Sequence, residues 1–418
     1  MQEKQVRVYG YRWVVLLVFA LITAVIQIQW LTFAPIAREA RQFYGVSALA
    51  VDSLSLIFMA VFLLVCIPAS WVIDTYGIRK GLGTGAVLTA IFSLMKGFFP
   101  RDYAMVVVAQ TGLAVAQPFI LNAATKVAVQ WFPLEERAIA VGIATLAQFV
   151  GIIIVMIATP LMINAGAGNI YDLSGMLMIY GIISAAGAVI LLVFLRERPP
   201  VPPETQGIEG TRLSVPKSFG HILAQRDMKI LFPLFFIGLG IFNAVSTCID
   251  QICQAKGLTM EQTGLVGGIM LVAGILGALI LPQFSDRFHR RKAFIILAMA
   301  GMAPGLAGLA FFSDYTLLLI SSFVLGFFLL GAGAPVGFQY CAEVTSPAPE
   351  SISQGLLLFT GQISGILFIL FMNYTGMGFS MMVFLGLALI NIGLCLALKE
   401  SKIILEARGR FRQLNQRG

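Results

Sequence analysis

Residues 26–36 read IQIQWLTFAPI and place two amides, Gln27 and Gln29, and an indole, Trp30, inside an apolar run that begins near Trp13. Side chains of these types hold small solutes. Amides both give and accept hydrogen bonds, and an indole face attracts an ammonium group with about 2 kcal/mol or more when the cation is desolvated. Lipid offers an amide no partner, so both glutamines are expected to face protein or a water-filled cavity. Gln27 lies one turn before Trp30 and shares its face, whereas Gln29 points about 100° away and is expected to bond a neighbouring helix. Packing at the membrane interface competes for Trp30, since indoles also favour that depth.

Further amides recur at matched places. QFVGI starts at Gln148 and QISGI at Gln362, an offset of 214 residues. Standing on equivalent helices, these two glutamines read as a pair lining a cavity. Gln117 precedes Pro118 in mid-helix, where an amide either faces a solute or satisfies backbone groups that proline frees.

The elements that must position these groups follow from composition. Of 418 residues, 58% are hydrophobic and 11% charged, against roughly 25% charged in a soluble domain. Apolar runs of about 20 residues, enough to span a bilayer, begin near Trp13, Asp52, Leu82, Ala104, Ala138, Tyr171, Ile230, Thr263, Ala293, Tyr315, Ile352 and Phe379. The fold class is therefore an all-α integral membrane protein with twelve transmembrane helices. Most of the 28 Lys and Arg residues fall in the two tails, the central segment and alternate loops, which places both termini in the cytoplasm of a multi-pass cell-membrane protein. Arg38, Arg41, Lys96, Arg101 and Lys256 are expected on the outside. The net charge of +8 is an orientation signal, and no segment outside the membrane is long enough to build a nucleic-acid-binding face. The five cysteines lack the spacing of a disulfide framework or a zinc site. Neither a metal nor a cofactor is called for.

Residues 196–229 are rich in proline and charge and read as a cytoplasmic linker. They separate an N-terminal six-helix half (1–195) from a C-terminal half (230–399), with a tail over 400–418. At the linker's end, KSFGHILAQRDM is patterned as a short amphipathic helix. The halves are pseudo-symmetric. Asp74, Gly77, Arg79 and Lys80 follow the second helix as Asp286, Arg290, Arg291 and Lys292 follow the eighth, an offset of 212 from Asp74 to Asp286. Such charges at helix ends can pair in one state and separate in another, so Asp74, Arg79, Asp286, Arg290 and Arg291 are candidate gating residues. Glu343 is a candidate partner for Arg290 or Arg291. Repeated six-helix halves are the architecture of major facilitator transporters. The charged loop resembles that superfamily's signature, with Ser70 where the first glycine is usual and His289 where the second copy has glycine.

Several longer stretches appear in a shared order: QW (29–30), FYGVSALAVDSLS (43–55), IPASWVIDTYGIR (67–79), AVAQPFILNAATKVAVQWF (114–132), GFQYCAEVTSPAPESISQGLL (337–357) and GQISGILF (361–368). In these the chain resembles the feline leukaemia virus subgroup C receptor-related transporters, a branch of the major facilitator superfamily. The resemblance implies transport of small polar nutrients, with choline and ethanolamine as cargo; haem export has been proposed for the family, and a related branch is linked to a B vitamin. It also implies a choline site with an aromatic in the first helix and glutamines in the fourth and eleventh, here Trp30, Gln117 and Gln362. The family's seventh-helix tyrosine falls at Asn243, beside Phe242. Asp250 stands seven residues after Asn243, two turns outward on roughly the same face, and reads as a proton site, a vestibule group attracting cations, or the helix's outer cap.

The functional expectation is a carrier, acting as a monomer, of a small polar or cationic organic solute by alternating access. The runner-up is a proton-coupled exporter of drugs or amphiphiles. An enzyme would need a nucleophile, metal cluster or acid–base pair at one depth, and the sequence offers none. A receptor or scaffold would be favoured by large ordered loops or tails, which this compact chain lacks.

Overall fold

The structure, a computed structural model, describes residues 9–165, 171–201, 215–401 and 404–405. Twelve helical spans among them are long and apolar enough to cross a membrane: Tyr11–Tyr44, Ala48–Tyr76, Ile78–Phe98, Tyr103–Trp131, Ile139–Met162, Ser174–Phe194, Arg226–Thr247, Met260–Phe288, Arg291–Phe311, Tyr315–Thr345, Ile352–Thr375 and Met377–Ala397. We number them 1 to 12. Each begins within about one turn of the place its apolar run predicts.

The spans start where local side chains satisfy the first free backbone N–H groups. Ser47 accepts from the Ala50 N–H at the head of span 2, and Asp102 from Ala104 and Met105 at span 4. Thr259 forms a capping box with Gln262 at span 8, and Asp314 accepts from Leu317 at span 10. The repeat foreseen in sequence thus extends to the caps, since spans 2 and 4 correspond to spans 8 and 10.

The chain divides into two compact units, Met1–Ile208 and Glu209–Gly418. Within the first, span 1 packs on spans 5 and 6, span 2 on span 4, and span 3 on spans 4 and 6. Within the second, span 7 packs on spans 11 and 12, span 8 on span 10, and span 9 on spans 10 and 12. The same five pairs recur six helices later. A short helix, Val215–Ala224, leads into span 7 at Arg226, where KSFGHILAQRDM is patterned for one. Residues 202–214 of the linker and most of the tail lie outside the described residues.

Four spans are interrupted, and they also correspond. Span 1 is helical over Tyr11–Trp30, turns through the 3-10 segment Ala34–Ile36, and resumes as Ala37–Tyr44. Span 7 ends at Thr247 and is followed by the short helix Ile249–Gln254. Span 4 breaks between Tyr103–Leu121 and Ala124–Trp131, and span 10 carries a π-helical segment, Leu329–Gly333, before Ala334–Thr345. Proline sits at or beside the breaks of spans 1, 4 and 10 (Pro35, Pro118, Pro335) and removes a backbone donor each time.

The charged loops after spans 2 and 8 share a backbone requirement as well. Gly77 has φ +92 and His289 has φ +52, both in the left-handed range that favours glycine. His289 therefore occupies a glycine position at a conformational cost. His289→Gly is expected to stabilise the protein by about 1 kcal/mol, read as a higher melting temperature in detergent; a lower one would mean that the imidazole's contacts outweigh the backbone strain.

Candidate functional site

In the first unit the amides of span 1 divide as their helical phase requires. The Gln29 amide donates to the Ser184 hydroxyl at 2.8 Å and the Tyr180 carbonyl at 3.2 Å, both on span 6, and so holds the helices together. Gln27, 4% exposed, donates to the Gln148 carbonyl oxygen at 2.9 Å. Their spans meet closely near this pair: a Cβ on Gly151 would lie 2.2 Å from the Ala24 carbonyl oxygen, so glycine in QFVGI permits the approach. Trp30 is 8% exposed and doubly tied to span 2. Its indole N–H donates to the Ser55 carbonyl at 3.3 Å, and the Ser55 hydroxyl donates to the Trp30 carbonyl at 3.2 Å. The indole edge is thus fixed in orientation.

Two acceptors on this face lack partners among the described residues. The Gln27 side-chain oxygen and the Thr23 hydroxyl are buried without a hydrogen bond. Thr23, Gln27 and Trp30 follow one another at i, i+4 and i+7 and form one stripe. Thr23 was legible from that spacing, but a threonine in an apolar run draws no notice beside two glutamines. Gln117 is buried, and its side chain makes no hydrogen bond among the described residues. Proline's freed carbonyl therefore does not account for it.

The second unit repeats the arrangement with smaller groups. Asn243, 216 residues after Gln27, donates to the Gly361 carbonyl at 3.1 Å. Gly361 is the residue before Gln362, so an amide on the unit's first helix again bonds its fifth helix at the QxxG segment. Ser246 and Thr247, one turn beyond Asn243, carry buried hydroxyls without partners. Gln362 is half-buried and makes no side-chain hydrogen bond among the described residues. Phe242 lines a small apolar cavity of about 30 Å³ with Phe235, Met299 and the π-helical Leu329 and Leu330, so its surroundings here are aliphatic and aromatic. Asp250 is fully buried and has interactions of its own. Because the helix is interrupted at Cys248, the seven-residue spacing from Asn243 is not two turns of one continuous helix. The shared-face argument does not hold.

Lys96 also departs from expectation. It lies in the last turn of span 3 with no surface exposed, where the sequence placed it among outer basic residues. Its ammonium is 3.2 Å from the Gln110 side-chain oxygen and 3.4 Å from the Thr32 hydroxyl, and 5.4 Å from the centre of the Phe33 ring. The Gln110 amide in turn donates to the Gln29 and Leu54 carbonyls. This network joins spans 1 to 4 just beyond Trp30 along span 1, and amide, hydroxyl and ring together offset the several kcal/mol that burying an ammonium costs.

A family model described as Major Facilitator Superfamily matches residues 15–369, with a second match over 249–404. The chain belongs to the Major Facilitator Superfamily. It is 28% identical over 382 residues to the human choline/ethanolamine transporter FLVCR2, covering 87% of this chain and 72% of that protein. A Caenorhabditis elegans protein described as an uncharacterized MFS-type transporter is 29% identical over 382 residues; the chain spans 64% of that relative's length. Among solved structures, a bacterial homologue of the human lysosomal transporter Spinster, inward-facing and unoccupied, superposes with a TM-score of 0.74 at 15% identity, over 96% of this chain and 99% of that one. At that identity the likeness concerns the fold.

The superfamily's charged loop takes two forms here. After span 2, Asp74 is paired at 3.5 Å with Lys126 of span 4, whose ammonium also donates to the Asp74 carbonyl. Ser70, the departure from the usual glycine, accepts a hydrogen bond from Asn122 at the break of span 4. After span 8 the cation comes from the head of span 9: Arg291 pairs with Asp286, bonds the Ser285 hydroxyl and reaches Glu343 of span 10 at 3.0 Å. Glu343 thus pairs with Arg291, while Arg79 and Arg290 have exposed side chains with no ion pair among the described residues. One pair of residues went unread in sequence. Glu197, just past span 6, accepts from the Ile78 and Arg79 N–H groups at 3.1 and 2.7 Å, and Glu400, just past span 12, accepts from those of Arg291 and Lys292 at 2.9 and 3.1 Å. Each carboxylate caps the third helix of its unit from the end of the sixth, where it complements the helix dipole.

Proposed function

We propose that this major facilitator transporter carries a small organic cation or amino alcohol of the choline or ethanolamine kind, by alternating access. The observation that carries the reading is the stripe on span 1. With its N–H taken by the Ser55 carbonyl, the indole can attract an ammonium group only through its face, and the Gln27 and Thr23 oxygens, unpartnered among the described residues, suit a hydroxyl or ammonium donor. Unsatisfied buried acceptors cost about 1–3 kcal/mol each, a cost that a bound solute removes. The names of relatives such as the human choline/ethanolamine transporter support the same cargo. In the first unit Trp30, Gln27, Gln117 and Gln148 are the groups assigned to the solute; in the second, Asn243 and Gln362 are, with Phe242 close by. Asp250 is kept as a candidate coupling group. The distribution of Lys and Arg supports cytoplasmic termini, and the cell membrane is the location proposed with them.

Uptake of labelled choline and ethanolamine into proteoliposomes, with and without an imposed proton gradient, tests the assignment. Saturable uptake without a gradient is the expected result. Absence of uptake for both amines under either condition would sink it, and gradient-driven efflux of amphiphiles instead would establish the exporter reading.

A further inference from the structure

Away from the stripe on span 1, the first unit holds a cavity of about 570 Å³ at the level where span 1 begins and span 6 ends. Tyr11, Trp131, Arg196, Arg198 and the Pro199–Pro200 pair line it. The sequence RERPP explains its charge. Glu197, the acid between the two arginines, is turned to the head of span 3 and occupied by two backbone N–H groups. Arg196 and Arg198 are left without a carboxylate partner among the described residues, and two like charges on one cavity wall repel. Proline's fixed φ restrains the chain that follows them.

The aromatic residues hold this charge in place. The Arg196 guanidinium lies 4.4 Å from the Tyr11 ring centre, and the Tyr11 hydroxyl donates to the Phe194 carbonyl at 2.7 Å. The Trp131 ring packs on Tyr11 at 5.9 Å, and its indole N–H is buried without a hydrogen-bond partner among the described residues. Indoles and arginines collect at membrane interfaces for general reasons, but those reasons do not call for a half-open cavity, two exposed guanidiniums without a carboxylate among the described residues and an orphan donor together. A phosphate supplies what is missing: it neutralises both charges and matches the planar donor fork of arginine.

We propose that this cavity binds a phosphate-bearing anion, with the phosphate held between Arg196 and Arg198. The volume suits a headgroup-sized ligand, and its position at the ends of two spans is the depth of lipid headgroups. The phosphate can therefore come from an acidic phospholipid or from a soluble phosphate ester, and nothing in the candidate solute site bears on it.

Native mass spectrometry of the full chain in detergent provides the test, with short-chain phosphatidic acid as probe, phosphatidylcholine of equal chain length as the zwitterionic control, and glycerol 3-phosphate as the soluble counterpart. Phosphatidic acid is expected to bind more tightly than phosphatidylcholine. The double variant Arg196→Gln/Arg198→Gln should weaken it at least about tenfold, since each lost bond is charge-assisted. Trp131→Phe, which keeps a ring and removes the N–H, should weaken it about threefold. Arg101→Gln, at an exposed arginine paired with Asp172 in another connection, should change nothing. Equal melting temperatures without probe establish that the variants are folded. Competition by glycerol 3-phosphate identifies a soluble ester as sufficient, and binding of the lipid alone identifies the headgroup; either supports the site. Equal binding of both lipids, or wild-type affinity in the double variant, overturns it.

Discussion

Arg291→Ala is expected to lower the melting temperature by about 10 °C. Arg291 is 2% exposed and holds Glu343, Asp286 and Ser285 at once. The Glu343 side chain is itself 11% exposed, so removing the guanidinium strands a carboxylate away from water, a loss of about 3–5 kcal/mol. Arg291→Lys keeps the charge but not the fork of donors, and should recover only part of the loss. The double variant Arg291→Met/Glu343→Leu removes both charges and should recover most of it. Lys126→Met in the first unit supplies the contrast: its partner Asp74 is 76% exposed, and exposed pairs contribute about 1 kcal/mol or less. Arg290→Ala, at an exposed neighbour, should melt as the wild type does. Thermal melts in detergent decide the matter. If Arg291→Ala melts with the wild type, or the double variant melts no higher than the single one, the ion pair is not what holds span 9 to span 10.

That asymmetry between the two charged loops shows where sequence reading stops. Spans were legible because twenty consecutive apolar residues have few alternatives, and the repeat was legible because Asp74 and Asp286, like Gln148 and Gln362, return at near-constant offsets. The pairing of Glu343 was legible, since Arg291 was one of the two arginines named for it, but that of Asp74 was not, because its partner Lys126 comes from span 4. Long-range caps such as Glu197 and Glu400 leave no local signature at all. Lys96 misled for the same reason, since the amide, hydroxyl and ring that admit an ammonium come from spans 1 and 4. Asp250 misled differently: helical phase was carried across Cys248, where the helix is broken. Where the helix is continuous the phase argument held, and Gln29 bonds span 6 as its angle from Trp30 requires.

The same phase argument makes the solute site testable through stability and binding measured side by side. Trp30→Ala should remove most binding of a choline-like solute, a loss of about 1–2 kcal/mol or five- to thirtyfold in affinity. It also empties a large buried volume, which costs about 3–5 kcal/mol in stability, so that variant alone does not separate recognition from packing. Trp30→Phe does. It keeps an aromatic face and loses the bond to the Ser55 carbonyl, and should retain part of the binding with a small drop in melting temperature. Gln27 and Gln29 form a second pair of opposites. Gln27→Ala removes an oxygen that has no partner among the described residues and one bond to Gln148, so binding should weaken with little change in stability. Gln29→Ala removes two buried bonds to span 6, each worth about 1 kcal/mol, so stability should fall while the intrinsic affinity of the folded protein stays near wild type. Isothermal titration with choline and thermal melts on all four variants give the answer. Wild-type affinity in Trp30→Ala and Gln27→Ala together would return the indole and the amide to packing, because no other reading of the stripe makes both residues dispensable to the solute.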